Sequence, residues 1–283
     1  MTCRAVASLE RAICALVAYD GADYHGFQAQ TNAVSVQQTL EVALDRCAER
    51  SSRVIGAGRT DTGVHASGQV VGANVKWRDS LGALQRAWNR HLPPTVVVWR
   101  VEAAPEGFHP RHSAISRTYR YTVQCGGAAG RSAATSRWPL TDRYSWFEVR
   151  PLDVAAMNAV SATLVGTHDF ATFGQPPQGE NTVRTVEAAT WTRVNESPSP
   201  LHQFAGTKLV FTITANAFLR QMVRSLVGSL LAVGRGDWTQ ERFAAAWTAR
   251  SRSRSAPPIA PQGLVLEKVT YPDHLAALIF GNE

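Results

Sequence analysis

The sequence predicts an α+β fold in which one layout, strand–helix–strand–strand–helix–strand, occurs twice. Three observations predict it. Short β-branched runs alternate with longer runs of helical apolar period. Gly-, Pro-, Asn- and Ser-containing turns separate them. The same order of element types recurs on either side of Pro110 to Ser116. This is the split βαβ layout of ferredoxin-like, RRM-like folds. The expectation is two such halves, residues 1–112 and 113–283, whose antiparallel sheets join side by side with helices on one face.

In the first half, Ile13 to Tyr19 reads as a buried strand. Ser35, with Gln38 three residues later, reads as the start of a helix whose apolar face is Val36, Leu40, Ala43, Leu44 and Cys47. Strands follow near Arg53 to Ala57 and Gly68 to Trp77, then a helix from Leu81 to His91 and a strand from Thr95 to Glu102. In the second half, Arg117 to Gln124 is a strand and the Gly/Ala/Ser-rich stretch from Gly126 to Ser136 a mobile loop. A helix over Leu152 to Val165, strands over Val183 to Val194 and Lys208 to Thr214, and a helix from Phe218 to Val233 come next. Gly234 is placed to end that last helix as a C′ residue. A helix from Thr239 to Ala249 and a strand from Leu264 to Tyr271 complete the order, with no residue-level repeat between the halves.

With 283 residues, 45% of them hydrophobic, the chain is long and apolar enough for two cores. Its 29 basic and 22 acidic residues leave a net charge of +7, which favours a polyanionic partner and leaves RNA, DNA and a membrane surface open. Cys3, Cys14, Cys47 and Cys125 are too scattered for a zinc or disulfide framework. His109, His112, His168 and Asp169 are the only near neighbours that suggest a metal, and they lack spaced partners. The run Ile13 to Ala18 is too short for a signal-peptide core and leads into Tyr-Asp-Gly, and no stretch is long enough to span a bilayer. A cytoplasmic protein is expected.

The stretch Gly58 to Ala66, Gly-Arg-Thr-Asp-Thr-Gly-Val-His-Ala, is the most informative of the chain. It sets the Asp61 carboxylate beside the Arg59 guanidinium in a loop framed by Gly56, Gly58 and Gly63, which allow left-handed backbone and close approach of a bulky ligand. The same residues equally describe a turn in which Asp61 caps its neighbours. The glycine spacing matches neither the dinucleotide fingerprint nor the P-loop.

Gly58 to Ala66 resembles the catalytic motif of the tRNA pseudouridine synthase A family, and further blocks follow in family order. Tyr19 to Gln28 resembles its opening strand and turn, and Ser35 to Gln37 its first helix. Phe108 to Ala114 with Arg117 to Tyr121 resembles its central segment, Asn216 to Gly228 its late helix, and Ala256 to Leu264 its closing motif. Phe27 stands where tryptophan is common, and Gln175 to Asn181 is richer in Pro and Gly than usual.

The resemblance implies isomerisation of uridine to pseudouridine at positions 38 to 40 of the tRNA anticodon stem-loop. It implies a homodimer with tRNA across both subunits, no cofactor and no metal. Asp61 would be the nucleophile, and Arg59 would fill the space of the everted base. Tyr119 would stack on the uracil; Tyr121 shares its predicted sheet face, and the Arg-x-Tyr-Arg-Tyr order favours Tyr119. Arg224, set among Met222, Val223, Leu226 and Val227, would pair with Asp61, and Leu264 would line the uracil pocket. Arg111, Arg117 and the run Arg250 to Arg254 are candidates for phosphate contact, the run equally for a solvated linker. A non-catalytic tRNA-binding protein on this scaffold and an aspartate nucleosidase are the rival readings.

Overall fold

The computed structural model describes residues 10–125, 139–176, 179–194 and 207–280. The stretch from Gly126 to Ser136 lies outside the described residues. The chain is α+β and divides into two compact units: residues 1–115 with 266–283, and residues 116–265. The first unit therefore runs three residues past the expected boundary at 112 and takes back the C-terminal segment, which had been expected in the second domain.

In unit 1, β1 (Glu10–Tyr19) is the central antiparallel partner of β4 (His65–Lys76) and β5 (Val96–Ala103), with Ile13 opposite both Ala73 and Ala103. Two short strands, β2 (Glu49–Arg50) and β3 (Ile55–Gly56), pair with the later part of β4. Helices α1 (Val36–Asp45) and α2 (Leu81–His91) give the order β-α-β-β-β-α-β, one short strand more than the expected β-α-β-β-α-β.

Local chemistry starts both helices where the sequence indicates. Ser35 Oγ accepts from Gln38 N at 3.3 Å, and Ser80 Oγ accepts from Ala83 N at 3.2 Å, each satisfying one orphan donor of a first turn. The helices lock together through Trp88, fully buried, whose indole Nε1 donates to Leu40 O at 3.0 Å. Asn89 fixes α2 to β5 by pairing with both backbone groups of Val98. The returning C-terminal segment is held by Tyr271, whose hydroxyl donates to Pro110 O at 2.7 Å inside the core. It ends in α7 (Asp273–Phe280).

In unit 2, β6 (Ser116–Cys125), β10 (Thr207–Ala215), β9 (Val183–Val194) and β8 (Gly166–Asp169) lie in that order, antiparallel along the β6–β10–β9–β8 path. The short β7 (Trp146–Glu148) runs parallel beside β6. Its helices are α3 (Pro139–Asp142), α4 (Val154–Ala162), α5 (Met222–Gly234) and α6 (Gln240–Thr248). Nearly all of α5 is buried, as expected for a helix apolar on every side. Phe170, Phe173, Phe243 and Trp247 form an aromatic core under α6. β11 (Leu264–Thr270) carries the chain from unit 2 back to unit 1.

Two expectations about α5 are corrected. The helix begins at Met222, not Phe218, because Gln221 takes the left-handed conformation (φ 62°) and interrupts it. Gly234 is the last helical residue, not the C′ glycine; a Cβ there would collide with Met157 of α4, so close helix packing explains it. The left-handed position past the helix end falls to Gly236 (φ 76°).

Gly228, also on α5, is equally tight: an added Cβ would lie 2.5 Å from the backbone oxygen of Pro257. Gly228→Ala should therefore lower stability by about 1–3 kcal/mol through overpacking. Gly82→Ala, whose nearest neighbour is the mobile end of Arg86 at 3.6 Å, should instead stabilise by about 0.4–1 kcal/mol. Urea denaturation of the two variants checks the contrast, and equal effects would contradict the packing described.

Candidate active site

The Asp61 loop is built by continuing and then leaving the β3–β4 pairing. The last sheet bond is Ala57 N to Val70 O at 2.8 Å. Gly58 then meets the side chain of Gln69, whose Oε1 accepts from Gly58 N at 3.3 Å and whose Nε2 donates to Gly58 O at 2.8 Å. Val64 N donates to Asp61 O at 3.1 Å, closing a four-residue turn with Gly63 at φ 76° in its third position, where a type II turn needs positive φ. Of the three framing glycines, only Gly63 and not Gly56 supplies left-handed backbone; a Cβ on Gly56 would meet the Phe27 ring at 2.5 Å.

The turn after β1 grips this loop from one side. Phe27 N donates to Thr60 O at 3.1 Å and Gly63 N to Tyr24 O at 3.2 Å. Tyr19 and Thr60 share a hydroxyl–hydroxyl hydrogen bond of 2.8 Å. The buried His65 completes the grip: its Nδ1 accepts from Gly21 N at 3.0 Å and lies 3.1 Å from Asp20 Oδ1. In this frame Arg59 is exposed and Asp61 half-buried, on one loop and two residues apart.

Unit 2 holds the other three expected residues. Tyr119 lies on β6 opposite Ile213, with Phe218 edge-on to its ring (centroids 5.1 Å apart, planes at 85°). Tyr121 is fully buried, its hydroxyl donates to Ala260 O at 2.8 Å, and burial pushes its phenol far up. Gly263 sits directly over that ring, where a Cβ would come within 2.7 Å. Tyr121 is thus tied into the core by its hydroxyl, and Tyr119 is buried as well.

Arg224 Nε donates to Ile259 O at 2.6 Å, while Ile259 N donates to Arg224 O at 3.2 Å. The closing motif thereby fixes the base of the Arg224 side chain on α5 and, five residues on, presents the buried Leu264. Asp61 and Arg59 belong to unit 1; Tyr119, Arg224 and Leu264 belong to unit 2.

Other singled-out residues have structural partners. Arg117 is buried and its Nη1 donates to Asn216 O at 2.9 Å. Arg252 donates to Gln221 Oε1 and Ser225 Oγ, each at 3.2 Å, and Arg250 Nε sits 3.1 Å from Asp169 Oδ2, so the basic run is fastened to unit 2 rather than solvated throughout. His109 Nδ1 accepts from the backbone of Arg111 and His112. Sequence reasoning passed over Gln69, Thr60 and Phe218. A glutamine at an inward place in the apolar run Val70–Val71 was the one available signal for the first.

An α+β protein of two units, the first presenting an acid and an arginine on a gripped turn, defines the class. Residues 15–113 and 160–272 match the family model described as tRNA pseudouridine synthase. A tRNA pseudouridine synthase A from Chloroflexus aurantiacus is 40% identical over 266 residues, covering 94% of this chain and 90% of that one. Those of a Roseiflexus species (41% over 264 residues; 93% and 92%) and of Bifidobacterium animalis subsp. lactis (39% over 291; 92% and 94%) are similar. The chain belongs to the tRNA pseudouridine synthase family. Among the described residues, no helix is long and apolar enough to cross a membrane.

The Asp169 cluster gives a pH prediction. Burial alone raises this carboxyl, but the Thr182 hydroxyl, the Ala171 amide and the Arg250 charge together hold it below the ordinary carboxylate range. A depressed folded pKa contributes stability above the unfolded value and loses it as pH falls through the folded one. Asp169→Asn should flatten the loss of stability below about pH 4. Urea midpoints at neutral and acid pH measure it; an unchanged acid limb would contradict the assignment.

Proposed function

We propose that the protein isomerises uridine to pseudouridine at positions 38 to 40 in the anticodon stem-loop of tRNA, with Asp61 as nucleophile and no cofactor. The observation that carries this reading is the family match, which spans the Asp61 loop, Arg59, Arg224 and Leu264. The net charge of +7 suits a polyanionic substrate. The relatives' name supplies tRNA; the stem-loop positions and a homodimer with tRNA across both subunits are the finer part of the proposal.

The reaction breaks the uridine N1–C1′ bond, turns the freed uracil and rejoins it through C5. N1 gains a proton and C5 loses one, so there is no net redox change and the product has the mass of the substrate. A carboxylate nucleophile is sufficient to start such a sequence. The half-buried Asp61 fills that role, with its loop gripped on both sides so that little motion separates binding from reaction.

Arg59, exposed on the same loop, enters the helix space vacated by the everted nucleotide. There its planar cation stacks and binds phosphate, offsetting the few kcal/mol that flipping costs. Tyr119 stacks on the uracil, a contact worth roughly 1–3 kcal/mol, with Phe218 setting the angle of its ring. In the same proposal Arg224 is the cation that partners the nucleophile, and the buried Leu264 gives the base an apolar wall.

Tritium release from [5-³H]uridine-labelled tRNA transcript tests the reading. Asp61→Ala should lose release on the order of 10⁴-fold or more while still binding the transcript. Tyr119→Ala should lose roughly 5- to 150-fold, and Tyr119→Phe should keep the stacking part. Binding without release by the unmodified protein would leave a tRNA-binding protein on this scaffold and overturn the proposal.

A further inference from the structure

The loop that carries Asp61 is anchored by a chain of buried polar side chains for which neither the fold nor the chemistry so far accounts. Gln69 is wholly buried, Tyr19 is 4% exposed and Thr60 6%. Uncharged polar groups at such depth cost free energy unless fully bonded, so their placement needs a reason.

The bonding has a defined direction. Gly58 offers one donor and one acceptor, and Gln69 answers with Oε1 toward the N–H (3.3 Å) and Nε2 toward the C=O (2.8 Å). A flipped amide would set donor against donor, so the backbone of Gly58 fixes its orientation. The second hydrogen of Nε2 points to Tyr19 Oη at 3.5 Å. With the phenol oxygen accepting there, its single proton is available to Thr60 Oγ1 at 2.8 Å. Burial pushes the Tyr19 phenol up to about 12, against the lowering effect of Thr60 and Gln69, so it remains a neutral donor at physiological pH.

The effect on the loop is local. Gly58 and Thr60, on either side of Arg59, are both fixed, and the main-chain oxygen of Thr60 is also held by Phe27 N. Asp61 follows Thr60 directly, so a rotation at Thr60 would move the carboxylate. The side chain of Arg59, between these two fixed points, is exposed.

We propose that Gln69, Tyr19 and Thr60 are positioning residues: their chain sets the place of the Asp61 carboxylate for the chemical step, separately from holding the fold or binding RNA. This rests on the synthase reading above. A displacement of about 1 Å at a reacting group can cost on the order of 100-fold in rate. The Tyr19–Thr60 hydroxyl pair is the link nearest Asp61 and the one that can be cut with the least disturbance.

The test uses the full chain and [5-³H]uridine tRNA transcript, reading single-turnover rate, transcript affinity and melting temperature for each variant. Tyr19→Phe and Thr60→Val should each slow the single-turnover rate about 10- to 100-fold with affinity within about twofold. Thr60→Ser, which keeps the hydroxyl, should return the rate to within about threefold of the unmodified protein. The double variant Tyr19→Phe/Thr60→Val should be no slower than the worse single one, because both cut the same bond. Unchanged rates in folded Tyr19→Phe and Thr60→Val would overturn the proposal, as would a Thr60→Ser as slow as Thr60→Val. A loss that lies in affinity would likewise overturn it. An unmodified protein that binds transcript but releases no tritium would instead overturn the synthase reading, and positioning with it.

Discussion

An added methyl at Gly21 would collide with the carbonyl of Val64, and one at Gly26 would come within 2.7 Å of the carbonyl of Thr60. That close passage of one backbone turn over another is the constraint on which the site half of unit 1 depends. It permits the direct bonds from Phe27 N to Thr60 O and from Gly63 N to Tyr24 O, which need no side chain between them. The loop's shape is then set by main chain on one side and by the Gln69–Tyr19–Thr60 chain on the other. A carboxylate on an ordinary surface turn would sample several positions; here the backbone before and after it is bonded.

Unit 2 uses the same economy of space for a different end. The segment from Ala256 to Leu264 lies hard against α5 at Gly228 and over Tyr121 at Gly263, two places where a side chain would not fit. From there it bonds the backbone and Nε of Arg224 through Ile259, and Ser229 Oγ through Ala256 N. That strap restricts the rotamers of Arg224, a long side chain on a buried helix, and lowers the entropy cost of ordering it. In this way the late helix and the closing motif, remote in sequence, form one structural device.

Much of the fold was legible because its elements obey simple periods. α2 spans the residues its apolar spacing implies, and β9 and the Ser35 cap likewise follow from strand alternation and capping chemistry. What was not legible depended on contacts rather than pattern. Gly234 has the sequence position of a C′ residue, yet its reason is Met157 of another helix. β7 and β8, three and four residues long, carry too short a period to read. At the site, Asp61 and Arg59 stood out by motif, whereas alternation left the two tyrosines of β6 equivalent, and both are buried, Tyr121 with its hydroxyl bonded to Ala260 O. Gln69 was missed because a polar residue in a strand ordinarily marks the solvent face, and this strand has buried residues on both of its faces. The arginines of 250–254 read as surface charge, since neither the carboxylate of Asp169 nor the oxygens of Gln221 and Ser225 are near them in sequence.

The central claim is that the gripped carboxylate turns uridine into its isomer without losing the base. Nucleoside mass spectrometry of a tRNA transcript bearing uridine at 38, 39 and 40, incubated with the protein alone, measures this most directly. The account predicts pseudouridine at one or more of those positions, an RNA of unchanged mass and no free uracil. Free uracil with an abasic transcript would contradict it, as would uridine left intact in RNA that the protein has bound.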